Sequence, residues 1–305
     1  MRVIFMGSAP LSCPSLQALA DADGIEVVGA VTQPDRPKGR NLAMSESPVK
    51  TLAVKLGIPV LTPENVSAPD SVAFLSELGP DLAAVAAYGQ ILKPCVLELP
   101  PLGCINVHAS LLPKYRGAAP IQWAIANGEM VTGVTIMFMA AGMDTGDIIT
   151  QTRVEIGEAE TGGELHDRLG TVGARALIEA LSLFAAGNVP RREQDDSEAT
   201  YAPKLRKADG EIDWTLAARD LYNRVRAFNP WPCCRCRLGG HSLRVLAARM
   251  EDAAGEPGTV LDVSGNGPLV AAGEGSVRLV EVQPEGKKPM DGAAYLRGHK
   301  LEVGK

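Results

Sequence analysis

The sequence predicts an α/β fold in which a mainly parallel β-sheet carries helices on both faces and is followed by a small antiparallel β-barrel. Up to residue 186, short apolar or β-rich runs alternate with helix-like stretches, which is typical of a parallel sheet. Residues 187–211 are polar and aperiodic, which indicates a linker. From residue 234 onward, closely spaced strand-like runs joined by glycine-rich turns favour a barrel. We therefore expect a first domain over 1–186, a linker over 187–211 and a second domain over 212–305.

The elements of the first domain are assigned from local composition and periodicity. The predicted strands are Val3–Met6, Val27–Val31, Leu82–Ala87, Ile105–His108 and Val134–Met139. The predicted shorter helices are Ser15–Ala20, Pro48–Leu56, Ser71–Leu78 and Ala118–Ala126. A long helix is predicted over Glu164–Ala186, because its apolar residues recur at helical spacing.

One helix and a set of short strands are predicted for the second domain. The helix spans Leu216–Phe228 and ends at the two prolines of the segment 229–232, which cannot continue it. The strands are Cys234–Leu238, His241–Ala248, Gly258–Val263, Pro268–Ala272 and Ser276–Val282. Their close spacing is what favours an antiparallel barrel over a second parallel sheet.

Composition places the chain among ordinary globular proteins. Of its 305 residues, 22% are charged and 46% are hydrophobic. No apolar run reaches the roughly 18 residues that a membrane-spanning helix needs. The chain starts with a strand-like run, Arg2–Met6, instead of a secretory or transit signal. A cytoplasmic location is therefore expected.

Charge is distributed unevenly along the chain. Residues 1–199 carry a net charge of −9, whereas residues 200–305 carry +3. Such an asymmetry is compatible with an anionic partner for the second domain, but chance variation on a solvated surface is the simpler explanation of charge alone.

Metal and nucleotide sites are not predicted. The six cysteines and four histidines do not have the spacing of a zinc site, and reduced thiols are expected. The first strand is followed by Gly7-Ser8-Ala9-Pro10 in place of a G-x-G-x-x-G fingerprint, and no P-loop occurs. We therefore expect neither a nicotinamide-dependent nor an ATP-dependent enzyme.

Asn106 and His108 are the strongest candidates for catalysis. They lie two residues apart on a predicted strand, so their side chains share one face. A polar pair on an apolar sheet costs free energy unless it is hydrogen-bonded, and ligands bind at the carboxyl ends of parallel strands. With an acid at Asp144, the set suits acyl transfer without a covalent intermediate. Asn106 and His108 donate N–H groups to an oxyanion, and the carboxylate takes a proton from an attacking amine.

Other interpretations of these residues stay open on this reasoning. Asp144-Thr145-Gly146 is a common turn sequence and also the signature of aspartic proteases, which need two such aspartates. The chain has one Asp-Thr-Gly, so that activity requires a dimer. A lone histidine such as His108 is more often a satisfied core residue, and Cys104 more often packs as a small hydrophobe than acts as a nucleophile.

Several motifs resemble those of the 10-formyltetrahydrofolate-dependent formyltransferases. They are the Asn-x-His strand at 106–108, the Ser-Leu-Leu-Pro-x-x-Arg-Gly loop at 110–117 and the Gly-Met-Asp-Thr-Gly-Asp turn at 142–147. Further matches at 32–40, 117–122, 226–232 and 283–290 extend the resemblance along nearly the whole chain. The resemblance implies a Rossmann-like formyltransferase domain and a C-terminal OB-like barrel domain that binds tRNA.

The resemblance also implies an activity and a set of site residues. The activity is formyl transfer from 10-formyltetrahydrofolate to the amino group of methionine on initiator tRNA, for the initiation of translation, without a metal. The implied catalytic residues are Asn106, His108 and Asp144. The implied folate-binding residues are Tyr88, Gln90, Ile91, Leu92, Ser110, Leu111, Leu112 and Pro113. The implied tRNA-binding residues are Arg36, Lys38, Arg40, Lys204, Arg206 and Lys207.

Three alternatives to this activity are carried forward, one of which is the dimeric aspartic protease described above. Within the same chemistry, the acceptor is an amino sugar carried on a nucleotide, although a small acceptor has no use for a second domain that follows a nucleic-acid backbone. From another class, the chain is a catalytically silent RNA-binding module. For the formyltransferase itself, we expect a monomer.

Overall fold

The computed structural model describes residues 1–38 and 43–305, which form two compact units. Unit 1 comprises residues 1–117, 131–155 and 166–201, and unit 2 comprises residues 118–130, 156–165 and 202–305. Among the described residues, no helix is both long and apolar enough to cross a membrane.

Residues 1–38 and 43–202 supply eleven strands and six α-helices. The strands β1–β11 are Arg2–Gly7, Glu26–Val31, Arg36–Lys38, Ala43–Ser45, Val60–Leu61, Leu82–Ala86, Cys104–His108, Arg116–Gly117, Val131–Phe138, Ile148–Glu155 and Tyr201–Ala202. The helices α1–α6 are Cys13–Asp21, Pro48–Lys55, Pro69–Glu77, Pro94–Leu97, Pro120–Ala126 and Gly162–Ala185. Every strand and helix predicted for the first domain is present, with ends shifted by a few residues.

Unit 1 is built on a seven-stranded sheet with the order β10-β9-β7-β6-β1-β2-β5. The strands β7, β6, β1, β2 and β5 are parallel, whereas β9 runs antiparallel to β7 and β10 runs antiparallel to β9. The prediction of a mainly parallel, Rossmann-like sheet is confirmed. The edge strand β10 was not predicted, because its middle, Thr-Gln-Thr-Arg, is polar.

The topology brings the loops after the central strands to one edge of the sheet. From β1 the strand order runs to β2 and β5 on one side and to β6 and β7 on the other, so β1 and β6 flank the switch point. The strands β1 and β6 are buried almost throughout, as expected for central strands covered on both faces. The segments 88–92 and 110–113 follow β6 and β7, and therefore both leave the sheet at its carboxyl edge.

Unit 2 contains a barrel-like antiparallel sheet, as predicted. Its strands β12–β17 are Cys234–Leu238, His241–Glu251, Val260–Asp262, Leu269–Ala271, Ser276–Pro284 and Met290–Asp291, and its helices α7 and α8 are Ala218–Ala227 and Gly292–Gly298. The order is β12-β13-β16-β15-β14, with β17 paired to β16. Gly239 and Gly240 both have positive φ in the two-residue turn between β12 and β13, a conformation that favours glycine. Within the same unit, Trp123 of α5 packs edge-to-face on Phe228 with 5.8 Å between the ring centroids.

The segment predicted as a linker, 187–211, is divided between the two units after Tyr201. It contains short 3₁₀ turns at Asp196–Glu198 and Lys207–Gly210, and Arg192 forms an isolated bridge with Ile148 of unit 1. The domain boundaries inferred from the sequence stay a prediction.

Candidate active site

Asn106 and His108 lie on β7, which pairs with β6 on one side and β9 on the other. The alternation of side chains along a strand places both on one face. His108 is buried, with 5% of its surface exposed, and Asn106 is partly buried. Among the residues that the structure describes, none forms a hydrogen bond with the Asn106 amide. Its N–H donors are therefore not committed to any described residue.

The His108 ring is held by a backbone carbonyl. Its Nε2 lies 3.0 Å from the carbonyl oxygen of Tyr115. Because that oxygen can only accept, Nε2 carries a proton in this arrangement. The other nitrogen, Nδ1, lies 3.6 Å from Oδ2 of Asp144, close enough for charge attraction but too long for a direct hydrogen bond.

Asp144 reaches His108 through an unusual backbone conformation. The loop after β9 begins beside Cys104, where Met139 donates to the Cys104 carbonyl oxygen at 2.8 Å, and then returns toward His108. Asp144 itself has a φ of 53°, in the left-handed region, which Asp tolerates better than most residues do. Its Oδ2 accepts a 2.8 Å hydrogen bond from the backbone N–H of Gly117. From the described residues, the second oxygen, Oδ1, accepts none.

The tripeptide Tyr115–Gly117 therefore fixes both ionisable groups. Its first residue accepts from the His108 ring, and its last residue donates to the Asp144 carboxylate. The tripeptide is in turn held by Thr200, whose side-chain oxygen accepts from Tyr115 N at 2.9 Å and whose carbonyl oxygen accepts from Arg116 N at 2.9 Å. Sequence reasoning brought together His108 and Asp144 but gave no role to Thr200.

Arg116 and Gln194 form a buried pair behind the site that sequence reasoning also missed. The guanidinium of Arg116 donates to Gln194 Oε1 through Nε at 3.1 Å and through Nη2 at 2.8 Å. Nη2 also lies 2.7 Å from Oδ1 of the exposed Asp196. The Nε2 of Gln194 donates to the carbonyl oxygens of Asp144 and Gly146, at 2.9 and 2.7 Å. Gln194 lies in a polar, aperiodic segment, so no sequence pattern marked it.

The predicted folate segment after β7 divides into inward-facing and partly exposed residues. Ser110 is fully buried and its hydroxyl donates to the Lys114 carbonyl oxygen at 2.6 Å. Leu112 is also buried and packs in a small cluster with Met137 and Ile148. Leu111 and Pro113 are partly exposed. Leu111 and Pro113 are therefore the two of these four residues whose surface is partly accessible.

The predicted folate segment after β6 has one buried hydroxyl without a partner. Tyr88 is 2% exposed, its OH has no hydrogen-bonding partner among the described residues, and burial raises its pKa to about 12. The amide of Gln90 is already engaged, since it accepts from Val66 N at 2.9 Å and donates to the Pro63 carbonyl oxygen at 3.0 Å. Ile91 is highly exposed, and Leu92 is buried.

The predicted tRNA-binding residues lie in two places along the chain. In unit 1, Arg36 and Lys38 belong to the β3–β4 hairpin, and Arg36 forms an exposed 2.9 Å ion pair with Glu64. Arg40 lies outside the described residues. The remaining three, Lys204, Arg206 and Lys207, are exposed in unit 2. None of these three has an ion-pair partner within residues 1–38 and 43–305.

The buried thiol of Cys104 is a poor nucleophile at neutral pH. Burial raises its pKa to about 12, and its Sγ faces the carbonyl oxygens of Val96 and Leu97. Within the described ranges, no three His, Cys, Asp or Glu side chains are placed to share a metal ion. The reactive groups assembled on β7 and the 139–147 loop are thus an amide, an imidazole and a carboxylate.

Comparison with known proteins identifies both parts of the chain. The formyl transferase family matches residues 1–181, and the formyl transferase C-terminal domain matches residues 204–300. The chain is 47% identical over 304 residues to the methionyl-tRNA formyltransferase of Geobacter sulfurreducens, covering 100% of this chain and 96% of that protein.

Solved structures with lower sequence identity share the fold. The N-formyltransferase from Helicobacter canadensis, in complex with folinic acid and dTDP-3-aminofucose, has a TM-score of 0.66 at 16% identity, over 91% of this chain and 98% of that one. HypX from Aquifex aeolicus in complex with tetrahydrofolic acid has a TM-score of 0.63 at 18% identity, over 97% of this chain and 47% of that one. Since a family match spans residues 1–181 and a full-length relative is 47% identical, the chain belongs to the formyl transferase family.

Proposed function

We propose that this enzyme transfers the formyl group of 10-formyltetrahydrofolate to the amino group of methionine on initiator tRNA, which prepares that tRNA for the initiation of translation. The observation that carries the proposal is the placement of His108 and Asp144 on either side of the Tyr115–Gly117 tripeptide, beside the unpaired Asn106 amide. Full-length relatives named methionyl-tRNA formyltransferase support the choice of acceptor.

The residues near the switch point fit a folate donor. The Tyr88 hydroxyl is buried without a partner, and the Asn106 amide is also unpaired among the described residues. Leu111, Pro113 and Ile91 add apolar surface that is not fully covered. A ligand with a flat polar ring system and an apolar connecting arm satisfies both features. We assign the folate to this edge of the sheet.

The reaction needs donors for a developing oxyanion. The folate supplies the formyl carbon, and attack by the methionine amine forms a new C–N bond and places negative charge on the formyl oxygen. We assign the N–H donors of Asn106 to that oxygen. His108 has its Nε2 proton committed to Tyr115, so it donates to substrate through Nδ1, which requires the imidazolium form.

Proton transfer is assigned to Asp144. Its Oδ2 is held by Gly117, whereas Oδ1 is not engaged by the described residues and can take a proton from the attacking amine. When the formyl C=O bond re-forms and the bond from the formyl carbon to the folate nitrogen breaks, that nitrogen takes the proton from Asp144, which returns the carboxylate to its starting state. The Nδ1 atom of His108 lies 3.6 Å from the same carboxylate, close enough for charge attraction when the ring carries both protons.

The second substrate is a polyanion, and unit 2 presents exposed cations to it. Lys204, Arg206 and Lys207 lack ion-pair partners among the described residues. Arg237 and Arg244 are exposed on the neighbouring strands β12 and β13. Contacts of this kind neutralise phosphates and release counterions, which gives affinity that depends on salt and not on sequence. We assign unit 2 to the tRNA backbone and the β3–β4 hairpin to the acceptor end.

An amino sugar carried on a nucleotide is the competing acceptor. The Helicobacter canadensis N-formyltransferase shares the fold and is complexed with such a sugar, but at 16% identity it supports only the fold of this chain. The full-length relatives and the exposed cations favour tRNA. Because the chain belongs to the formyl transferase family, we do not retain the dimeric aspartic protease or the silent RNA-binding module as candidate functions.

The deciding experiment is single-turnover release of tetrahydrofolate with three acceptor conditions. These are methionyl initiator tRNA, a nucleotide-linked amino sugar and no acceptor, each with wild type and Asn106→Ala. Fast release only with the charged tRNA, slowed on the order of 100-fold by the substitution, is the expected result. Release with the sugar alone identifies the other acceptor, and no release in any condition overturns the proposed reaction.

We further propose that the enzyme acts in the cytoplasm as a monomer. The proposal rests on relatives named methionyl-tRNA formyltransferase and on a site in which His108, Asp144 and the Tyr115–Gly117 tripeptide all come from one chain. Sedimentation equilibrium at micromolar concentration should give the mass of one 32.1 kDa chain. A concentration-dependent dimer contradicts it.

A further inference from the structure

Gln194 lies behind the candidate active site with its side chain fully hydrogen-bonded. A glutamine amide has two N–H donors and one oxygen that can accept two hydrogen bonds. The Nε2 of Gln194 donates to the carbonyl oxygens of Asp144 and Gly146, and its Oε1 accepts twice from Arg116. The residue is buried, with 8% of its surface exposed. No water or ligand is needed to satisfy it, so its position is set by these contacts.

These contacts join the two backbone segments that hold the reactive groups. The Asp144–Gly146 stretch carries the carboxylate, and Arg116 precedes Gly117, whose N–H binds the same carboxylate. Gln194 therefore completes a closed ring of contacts. Hydrogen bonds join the Asp144 carbonyl oxygen to Gln194 and Gln194 to Arg116. The chain then leads from Arg116 to Gly117, whose N–H returns to the Asp144 side chain. A displacement of either segment breaks a bond of this ring.

We propose that Gln194 is a positioning residue for formyl transfer, which holds the Asp144 carboxylate at its distance from His108. The inference rests on the proposed function. It assigns catalytic importance to a residue that touches neither substrate nor the reacting atoms. Asp144 has a left-handed φ, and the two N–H donors of Gln194 fix the carbonyl groups on that turn. Without those donors, the turn can relax and carry the carboxylate away from the amine.

The chemistry of the donors matters more than the volume of the side chain. Gln194→Glu keeps the size of the side chain, which can still accept hydrogen bonds from Arg116. However, it places a carboxylate oxygen against the carbonyl oxygens of Asp144 and Gly146. Gln194→Met keeps the length and removes all four hydrogen bonds. Both substitutions are expected to lower kcat by about 100-fold, the effect of a shift of about 1 Å in a reacting group. Binding of tetrahydrofolate is expected to change little, because Gln194 is not assigned to the folate.

A double-mutant cycle with Asp144 distinguishes a positioning role of Gln194 from a role in fold stability alone. If Gln194 acts through the Asp144 carboxylate, then Gln194→Glu costs little further rate in an Asp144→Asn enzyme. If its role is only structural, the two losses multiply. Rates are expressed per folded molecule, measured by circular dichroism and by tetrahydrofolate binding, so partial unfolding does not count as lost catalysis.

The matched control is Asp195→Ala in the same segment. The Asp195 side chain accepts hydrogen bonds from the backbone N–H of Ser197 at 2.9 Å and from the Ser197 hydroxyl at 2.6 Å. The Asp195 side chain has no hydrogen bond to the 139–147 loop. Its substitution is expected to leave kcat unchanged. Wild-type kcat in both Gln194 variants, or multiplicative losses in the cycle, overturns the positioning role. If the wild-type enzyme does not formylate methionyl-tRNA, the proposed function itself is wrong. Failure of the positioning role and failure of the proposed function are therefore distinguishable.

Discussion

The backbone N–H of Gly117 donates a 2.8 Å hydrogen bond to Oδ2 of Asp144, and this contact distinguishes the two carboxylate oxygens. Oδ2 is the oxygen held by the protein and the one that lies 3.6 Å from His108 Nδ1. In the proposed mechanism, Oδ1 takes the substrate proton. A freely rotating carboxylate offers either oxygen at random orientations, whereas this one presents a single oxygen in a fixed direction, which is the pre-organisation that catalysis by proton transfer requires.

Asp144→Asn tests that division of roles. The amide oxygen can still accept from Gly117, so the fold and the loop are expected to be kept, but an amide does not take a proton from an amine. We expect a fall in kcat on the order of 1,000-fold with little change in folate binding. Rapid-quench measurement of formyl-methionyl-tRNA checks the rate.

Asp147→Asn is the matched control for this substitution, because Asp147 lies three residues away and pairs only with the exposed Arg191, at 3.6 Å, among the described residues. It should retain activity close to wild type. If Asp144→Asn and Asp147→Asn lose rate equally, the effect belongs to the loop and not to the carboxylate.

Gly146→Ala tests how closely the loop packs on β9. A Cβ at this position lies 1.9 Å from the Phe138 carbonyl oxygen, so either the loop or the strand must move. We expect a loss of about 1–3 kcal/mol in the free energy of unfolding, typical of overpacking, together with a lower kcat. Urea unfolding and single-turnover kinetics measure the two effects.

Gly298→Ala is the comparison for the glycine effect. A Cβ there meets nothing within 4 Å, at the end of α8, so only the intrinsic helix preference changes. Stability is expected to stay the same or rise by up to about 1 kcal/mol. An equal loss of stability in both variants shows that the close approach at Gly146 is not the cause.

The sequence was sufficient for the parts of the fold that depend on local pattern. Apolar runs predicted β1, β2, β6, β7 and β9. Because residues two apart on a strand share one face, Asn106 and His108 were also expected to lie together. Two strands of the sheet escaped prediction for physical reasons. β5 is two residues long, too short for any alternation to be visible, and β10 has a polar middle that resembles a loop.

The support of the site could not be predicted, because it depends on contacts between distant residues. Gln194 and the Asp144 carbonyl are 50 residues apart, and no periodicity relates them. The role of Tyr115 is carried by its backbone oxygen, which any residue type supplies. Side-chain chemistry can be found in a sequence, whereas backbone groups that orient it are found only once the chain is folded.

Tyr88→Phe separates the stability of the free enzyme from its affinity for folate. The buried hydroxyl has no partner among the described residues, so its removal is expected to raise the free energy of unfolding by up to about 1 kcal/mol. If folate binds the hydroxyl, affinity falls by about 2–12-fold, the equivalent of one ordinary hydrogen bond. Thermal unfolding with and without tetrahydrofolate measures the stability and the folate affinity. If the substitution destabilises the free enzyme, the Tyr88 hydroxyl has a partner after all.

The buried thiols predict a loss of stability at high pH. Burial raises the pKa values of Cys104, Cys234 and Cys236 to about 12 from an ordinary 9.0, so the folded chain keeps protons that the unfolded chain releases. Their contribution to stability is complete below pH 9.0 and is lost progressively as the pH rises toward 12. The melting temperature, followed from neutral pH upward, should therefore begin to fall once the pH passes 9.0.

Thiol labelling provides an independent check of the same burial. Cys95 is exposed and should react with iodoacetamide in the native enzyme, whereas the four buried thiols, Cys104, Cys233, Cys234 and Cys236, should react only on unfolding. Cys95→Ser should remove the fast phase. Rapid native labelling of Cys104 contradicts its burial.

The cations of unit 2 predict how tRNA affinity depends on salt. Lys204, Arg206 and Lys207 are exposed, and each phosphate contact that they make contributes about 0.7–0.9 to the slope of log affinity against log salt concentration. Replacing all three by Ala should therefore reduce the slope by up to about 2–3 and weaken initiator and elongator tRNA alike, because phosphate contacts do not read sequence. Lys93→Ala, an exposed lysine of unit 1, is the control. An unchanged slope in the triple variant means that the tRNA backbone does not follow these residues, whatever the enzyme's rate.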